Sequence, residues 1–240
     1  AETVEQTDAE MRAAMTALLQ EAQESYDHPA GAYWVPRRMG GSAPTPEEAQ
    51  VNDAVLALIP LFPLLGFLVN ASVGRRLPKA VSGGLACLMM LAAFAVSVMQ
   101  VMSLAAMPAS AREIAQTLFT WIKSGDFVLD LTFRLDPLSA LMILVITGIG
   151  SLIHIYSTAY MHEETDSDFA RFFSYLNLFV SFMLVLVLGS NFLVMFVGWE
   201  GVGLCSYLLI GFYYVKKSAG DAAKKAFIVN RIGDYAFVLG

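Results

Sequence analysis

Long stretches without charged residues constrain this chain more than any other feature of its sequence. Residues 54–74, 80–111 and 137–162 contain no Asp, Glu, Lys or Arg, and residues 172–215 contain one such residue, Glu200. A helix that crosses the hydrocarbon core of a bilayer needs about 20 apolar residues, since about 30 Å must be covered at about 1.5 Å per residue. Each stretch is long enough for a membrane-spanning helix, so the sequence excludes a soluble enzyme as the first interpretation.

The number of spans follows from these lengths. The run 172–215 holds two spans with a turn at 189–191, and residues 222–240 begin a further span that two charged residues interrupt. We therefore predict an all-α, polytopic transmembrane helix bundle, an N-terminal fragment with five complete spans and part of a sixth, because Gly240 lies inside an apolar run. The spans are expected near residues 54–74, 80–107, 137–160, 169–188 and 191–214, with the sixth from about 222.

The first 53 residues differ from the rest of the chain in their charge composition. They carry ten acidic and three basic residues, whereas residues 54–240 carry eleven and twelve. The run Thr7-Asp8-Ala9-Glu10 fits a capping box, and apolar residues after it share one side of a short amphipathic helix. Residues 28–46 hold Gly and Pro with little periodicity, which is typical of a linker. We predict a soluble N-terminal extension at 1–53, either solvated or docked on a partner, and a transmembrane domain at 54–240.

Basic residues near the span ends predict the orientation of the chain. They lie between the first and second spans and between the fifth and sixth, so both loops fall on the same side if the spans alternate. Loops rich in Lys and Arg stay cytoplasmic. The N-terminus and the loop at 108–135 are then expected to be periplasmic, with the spans in a bacterial cell inner membrane. The basic residues of the two loops are Arg75, Arg76, Lys79, Lys216 and Lys217.

Glu200 is the most informative single residue. It lies about ten residues into the fifth span, near the bilayer centre, where a charge costs about 2.5–3.5 kcal/mol on insertion scales. The carboxylate must therefore be paired, protonated or hydrated. A buried ion pair that only fixes helix packing would explain it, but ionisable residues in spans usually mark proton or ion pathways. We interpret Glu200 as part of a proton or ion relay.

Further ionisable residues lie in the sixth and third spans. Arg231 and Asp234 are three residues apart and share a helix face, so we expect them to bridge the sixth span to the fifth and to join the relay. Lys224 falls on nearly the same face as Arg231 and Lys225 on another, near the cytoplasmic surface, where both lysines either snorkel or exchange protons. His154 is a lone ring in the third span, and packing is favoured over a relay role for it.

The cysteines and histidines of the chain do not indicate a metal site or a disulfide framework. Cys87 and Cys205 lie inside apolar stretches, the three histidines are scattered, and no metal-ligand spacing occurs. Neither part of the chain has the basic patch that nucleic-acid binding requires. The sequence therefore predicts no metal site and no nucleic-acid partner.

The fifth span carries a segment, Gly198–Tyr213 (GWEGVGLCSYLLIGFY), that closely resembles a signature of one family. That family is the chain 5, or L, subunit of respiratory complex I, the proton-pumping NADH:quinone oxidoreductase. Asp136–Tyr160, Arg171–Phe173 and Ala226–Asp234 agree with it, and the resemblance covers about residues 54–240. The family is related to large subunits of cation/proton antiporters and membrane hydrogenases.

The resemblance implies an antiporter-like bundle with inverted repeats and broken helices, and proton translocation coupled to quinone reduction elsewhere in the complex. Glu200 matches the family glutamate that pairs with a lysine on a later broken helix. Arg231, Asp234 and Lys225 also match family positions, whereas Lys224 has no clear match. No cofactor is expected in this chain, since NAD, FMN, iron–sulfur clusters and quinone belong to other subunits. The expected partners are the lipid bilayer and other complex I membrane subunits, especially a neighbouring antiporter-like subunit.

Two other functions stay open. The chain could be the large subunit of a multisubunit cation/proton antiporter or membrane-bound hydrogenase, or a non-transporting membrane scaffold whose buried charges only hold a complex together. The amino-acid sequence of the fifth span favours the complex I subunit over the antiporter. Glu200, Arg231 and Asp234 disfavour the scaffold, since a scaffold needs small residues but no buried charge.

Overall fold

The computed structural model of the chain describes residues 55–108, 112–124 and 127–239. Within those residues, six α-helices and a two-stranded β-hairpin follow one another along the chain. The helices are α1 (Leu58–Ser72), α2 (Lys79–Ala106), α3 (Pro137–Tyr160), α4 (Asp166–Leu188), α5 (Phe192–Ile210) and α6 (Lys217–Leu239), and the strands are β1 (Ile114–Ser124) and β2 (Phe127–Leu135). A short 3₁₀ turn, Gly74–Arg76, separates α1 from α2. The predicted N-terminal extension, with its amphipathic helix and linker, lies outside the described residues.

Four of the helices, α2, α3, α4 and α5, are long and apolar enough to cross a membrane. They coincide with the predicted second to fifth spans, because a long apolar run must satisfy its backbone hydrogen bonds within the segment. The mostly helical, polytopic fold is therefore confirmed. α1 is a 15-residue apolar helix, about 22 Å long and shorter than the predicted span at 54–74. The described residues thus hold four helices of full spanning length where the sequence predicted five.

Side-chain caps fix where three of the helices begin. Asp136 precedes α3, where its carboxylate accepts from the Ser139 backbone N–H at 2.8 Å and the Ser139 hydroxyl accepts from the Asp136 N–H at 2.7 Å. Burial raises the pKa of Asp136, but the Ser139 hydrogen bonds and the Arg134 charge outweigh it, so this pKa lies below its ordinary value. The side chains of Thr165 and Asn191 cap α4 and α5, each by accepting the backbone N–H three residues later. Each cap satisfies a backbone N–H of the first turn that has no partner within the helix.

The two strands of a β-hairpin, β1 and β2, lie in the segment at 108–135 that the sequence predicted to be a loop. β1 and β2 pair antiparallel, with two register shifts in β1. The hairpin docks on the turn between α4 and α5, where Ser190 donates its backbone N–H to the Thr132 carbonyl at 3.1 Å and Asn191 Nδ2 donates to the Asp130 carbonyl at 2.9 Å. β-Branched and aromatic residues favour strands here. The all-helical prediction therefore needs this one addition.

Side chains join the connecting loops at the end opposite the hairpin. Lys79, at the start of α2, donates to the His162 carbonyl at 2.9 Å, and its Nζ lies 3.9 Å from Asp166 Oδ1. Tyr213, after α5, donates its hydroxyl to Glu164 Oε1 at 2.8 Å, which raises the pKa of Tyr213 above its ordinary value. The loops after α1, α3 and α5 therefore lie at one end of the bundle, as alternating spans require.

α4 is the central helix of the bundle. It packs against α1, α2, α3 and α5, and it has buried residues along its whole length. Two glycines of α5 allow the close approach to α4, because a Cβ at Gly198 would overlap the backbone of Leu186 and a Cβ at Gly201 would overlap the ring of Phe182. Small residues are common at such membrane helix interfaces. This contact fixes the position of α5, and therefore of the residues between its glycines.

We expect Gly201→Ala to push α5 away from α4 and to lower the thermal unfolding midpoint of the complete subunit in detergent. Overfilling a packed site costs about 1–3 kcal/mol. Gly203→Ala on the same helix is the matched control, since the atom nearest to its Cβ position, Asn230 Nδ2, lies 4.0 Å away. Equal midpoints for the two variants would contradict the close α4–α5 contact.

Candidate functional site

Glu200 lies at the middle of α5. The helix begins after Asn191, whose side-chain oxygen accepts the Val194 N–H at 2.9 Å, and Glu200 is then the ninth of its 19 residues. Gly198 and Gly201 face α4, so Glu200 is turned toward the neighbouring helix α6 and its side chain is about three-quarters buried. The apolar sequence of α5 thus brings one carboxylate into a setting where it needs a partner.

Arg231 of α6 is that partner. Its Nη1 forms an ion pair and hydrogen bond with Glu200 Oε2, and the same Nη1 lies 3.4 Å from Asp234 Oδ2, one turn further along α6. The predicted bridge from the sixth span to the fifth is therefore present. A guanidinium has five N–H donors in a fixed fork, which allows it to serve two carboxylates at once.

Trp199 closes the network on the side of Asp234. Its indole Nε1–H donates to Asp234 Oδ1 at 2.7 Å, so each carboxylate oxygen of Asp234 faces a different partner. Asp234 is only 8% exposed and is one of two buried residues on the described part of α6. Two adjacent residues of α5 and two residues of α6 thus form a four-membered polar network, which we call the α5–α6 network: Trp199, Glu200, Arg231 and Asp234.

Aromatic rings surround the α5–α6 network. The Arg231 guanidinium carbon lies 4.5 Å from the centroid of the Phe227 ring, in the geometry of a cation–π contact. On the other side, the Phe237 ring stacks between Trp199 and Phe196, with both centroid distances at 5.6 Å. These rings cover part of the network with apolar groups, and a polar contact is stronger in such surroundings than in water.

The two predicted lysines do not join the network. Lys224 and Lys225 are exposed on α6, and neither forms a hydrogen bond or ion pair with the residues that the structure describes. Lys225 lies six residues before Arg231, which is about 9 Å along the helix axis. Lys224 shares a helix face with Arg231, but it is Arg231 and not Lys224 that contacts Glu200.

His154 lies elsewhere, between α3 and α4. It is fully buried, with Nδ1 2.8 Å from the Gly150 carbonyl oxygen and Nε2 3.0 Å from Asn177 Oδ1. Its ring also packs near Phe173, at a centroid distance of 6.2 Å. Both ring nitrogens therefore have a partner, which is the arrangement expected of a packed histidine. No group of three His, Cys, Asp or Glu residues in the described ranges could hold a metal ion.

Trp199 was not among the site residues predicted from the sequence. A tryptophan inside an apolar helix is normally interpreted as a packing residue, because the hydrophobic pattern counts the ring and ignores its N–H group. One signal was available: a tryptophan at the centre of a span is too deep for the interfacial belts in which Trp is enriched, and a buried indole N–H usually has an acceptor.

Curated relatives match between half and three quarters or more of the chain. Proteins named NADH-quinone oxidoreductase subunit L are 48% identical over 183 residues in Mycobacterium tuberculosis and 45% identical over 190 residues in Pseudomonas aeruginosa. These matches cover 76% and 78% of this chain but only 28% and 30% of the relatives. The protein of the same name in Escherichia coli is 54% identical over 120 residues, which is 50% of this chain and 19% of the relative.

Two family profiles match the chain as well. Residues 121–173 match the N-terminus of chain 5 of NADH-ubiquinone oxidoreductase (complex I), and residues 189–240 match the transmembrane domain of NADH:quinone oxidoreductase and Mrp antiporters. Over these two segments the chain is similar to this antiporter-like family of membrane subunits. The second match contains all four members of the α5–α6 network. The chain spans less than a third of the length of its curated relatives.

Solved structures agree on the fold. An archaeal membrane-bound sulfane sulfur reductase, a respiratory membrane complex, contains a chain with a TM-score of 0.59 at 18% identity, and the Mrp complex from Dietzia contains one with a TM-score of 0.59 at 22% identity. Each match covers 77% of this chain, and 26% and 18% of those chains. At this identity the likeness supports the antiporter-like fold.

We expect Arg231→Ala to reduce the amount of assembled protein several-fold, because it leaves the Glu200 carboxylate without its cation in apolar surroundings. Lys224→Ala is the matched control, since it removes a cation of the same helix that has no described partner. The amount of each variant is measured by native gel electrophoresis of solubilised membranes. Equal amounts of the two variants would contradict a structural dependence on the Arg231 contact.

Proposed function

We propose that this chain belongs to a proton-translocating membrane subunit of NADH:quinone oxidoreductase (complex I), an H⁺-translocating enzyme whose redox chemistry takes place in other subunits. The observation that carries the proposal is the ion pair between Glu200, at the centre of the apolar helix α5, and Arg231 of α6. The names of the curated relatives support the choice of complex.

The proposed mechanism uses the carboxylates as proton sites. While Arg231 contacts Glu200, the carboxylate stays ionised; when the guanidinium moves toward Asp234, Glu200 takes up a proton, since an unpaired charge there is costly. Return of Arg231 releases that proton. A quinone-driven movement elsewhere in the complex would supply the change in the position of the cation, and water would connect the site to either side. The family's lysine on a later helix is the further partner of Glu200.

The other predicted residues have peripheral roles in this proposal. Lys224 and Lys225, exposed on the first half of α6, would exchange protons between the cytoplasmic surface and the α5–α6 network. His154 is bonded to Gly150 and Asn177, and these contacts favour a packing role over a place in the relay.

The remaining assignments follow from the proposed complex. This chain would bind no cofactor, and NAD, FMN, iron–sulfur clusters and quinone would be held by other subunits. Its partners would be lipids and other membrane subunits, especially a neighbouring antiporter-like subunit, with no nucleic acid. Its place would be a bacterial inner membrane, with the basic loops at Arg75 and Lys216 in the cytoplasm and the N-terminus in the periplasm.

A second candidate is the large subunit of a multisubunit cation/proton antiporter or membrane-bound hydrogenase. The description of the matching family includes Mrp antiporters, and the Mrp complex from Dietzia shares the fold. The two candidates differ in partner: proton transport that depends on NADH oxidation supports complex I, and transport that exchanges H⁺ for another cation without a redox step supports the antiporter. A scaffold would show neither.

We expect Glu200→Gln, in the complete subunit within its complex, to lower proton pumping by about tenfold or more, because the amide keeps the size of the side chain but cannot take up the proton. Pumping per NADH oxidised is measured in reconstituted vesicles. The amount of assembled complex and NADH oxidation with a soluble electron acceptor should be unchanged. Assembly with undiminished pumping would falsify the relay role and leave Glu200 as a packing residue.

The proposed orientation has its own test. A cysteine placed at residue 20 should react with a membrane-impermeant thiol reagent from the periplasmic side and not from the cytoplasmic side, because the basic loops hold the other ends of the spans in the cytoplasm. A cysteine placed at residue 217, beside Lys216, is the matched control and should show the opposite pattern. Efficient labelling of residue 20 from the cytoplasm would overturn the topology.

A further inference from the structure

The Trp199–Asp234 contact is the part of the α5–α6 network that the proposed proton transfer does not yet use. Trp199 precedes Glu200 in sequence, and its indole N–H reaches across to α6, where it donates to Asp234 Oδ1 at 2.7 Å. An indole N–H is a donor only and neither accepts nor releases a proton under these conditions. Trp199 therefore cannot carry protons, so any role in the relay must be one of geometry.

The two oxygens of Asp234 have different partners. Oδ1 accepts from Trp199, while Oδ2 lies 3.4 Å from Arg231 Nη1, which is longer than a good charge-assisted hydrogen bond. The same Nη1 makes its close contact with Glu200. Without the indole, nothing in the described residues would hold Oδ1, and Asp234 would be free to turn both oxygens toward the guanidinium in the bidentate geometry that Arg and carboxylates favour.

We propose that Trp199 is a positioning residue of the relay: its N–H holds Asp234 so that Arg231 stays shared between the two carboxylates instead of closing on Asp234. This inference rests on the proposed function, and it explains how one cation can alternate between two acids that are close enough to trap it. The indole N–H is therefore the element that keeps the two positions of Arg231 close in energy.

The indole ring is held firmly enough for this task. It stacks on Phe237 of α6 at a centroid distance of 5.6 Å and an interplanar angle of 17°, and Phe237 stacks on Phe196 of α5 at an angle of 15°. The stack therefore includes rings from both helices. The position of the N–H group depends on the ring stack, and the position of Asp234 depends on the N–H group.

A simpler explanation is that Asp234 only satisfies the N–H of a tryptophan that packs inside the membrane. The two explanations make opposite predictions for a ring without the N–H. If Asp234 only accepts the hydrogen bond of a packed tryptophan, Trp199→Phe removes the donor and leaves proton transfer unchanged. If the tryptophan N–H instead positions Asp234, the same change lets Arg231 close on Asp234. Proton transfer then slows while the helices stay packed.

The test uses the complete subunit in its complex, with two replacements at position 199. Trp199→Phe keeps an aromatic ring for the stack, and 3-benzothienyl-alanine, incorporated by codon suppression, keeps the whole bicyclic shape and exchanges only N–H for sulfur. We expect both to lower proton pumping per NADH oxidised by about tenfold, since hydrogen bonds to charged groups are among the stronger ones. Assembly and NADH oxidation with a soluble acceptor should be unchanged. Tryptophan reinserted by the same suppressor should pump normally.

Trp121→Phe is the matched control, because Trp121 lies on the exposed face of β1, away from the α5–α6 network, and should pump normally. If Trp199→Phe fails to assemble, the benzothienyl variant decides, since its bicyclic ring is much closer to indole in shape and volume than a phenyl ring. Normal pumping by the benzothienyl variant would overturn the inference. If Glu200→Gln pumps normally, the proposed function is wrong and this inference falls with it; if Glu200→Gln is impaired and both Trp199 variants pump normally, only this inference is wrong.

Discussion

The Glu200 carboxylate is the constraint on which the arrangement of α5 and α6 depends. An ionised group in apolar surroundings needs a counter-charge, and Arg231 supplies it from α6. Only Ala223 and Asp234 are buried on the described part of α6, so this helix is held to α5 by the polar contacts and the aromatic rings around them rather than by an extensive apolar interface. The contacts that hold the helix are therefore the contacts that could carry the chemistry.

The helices α1 to α4 are joined in a different way. Their buried polar contacts are neutral: the Ser82 hydroxyl donates to Asn70 Oδ1 at 2.9 Å, and the Ser181 hydroxyl of α4 donates to the Pro60 carbonyl of α1 at 2.9 Å. His154, fully buried, contributes to the same kind of contact between α3 and α4. Neutral hydrogen bonds do not respond to movement of a charge in the way an ion pair does. We therefore expect helices α1 to α4 to keep their positions when a charge moves. α5 packs against α4 through its glycines, and α6 contacts α5 through the charged network.

The sequence predicted the features that depend on charge and length, and not those that depend on individual atoms. The four long helices follow from their apolar runs, and the bridge between the fifth and sixth spans follows from the i, i+3 spacing of Arg231 and Asp234. The hairpin at 114–135 was missed because the prediction relied on charge-free length, although the alternation of apolar and polar residues over 129–135 is typical of a strand. The choice of Glu200 as the closer partner of Arg231 could not be predicted either, because it depends on where the Trp199 N–H directs Asp234.

The chemical identity of the four network residues limits what each can do. A guanidinium keeps its proton under all ordinary conditions, so Arg231 can move charge only by moving itself. The indole of Trp199 neither gains nor loses a proton. Proton binding within the network is therefore confined to the carboxylates of Glu200 and Asp234, and the one cation decides which of the two stays ionised. A lysine at position 231 would offer a point charge without the planar fork and could itself lose a proton when buried, which would remove the distinction between the group that moves and the groups that titrate.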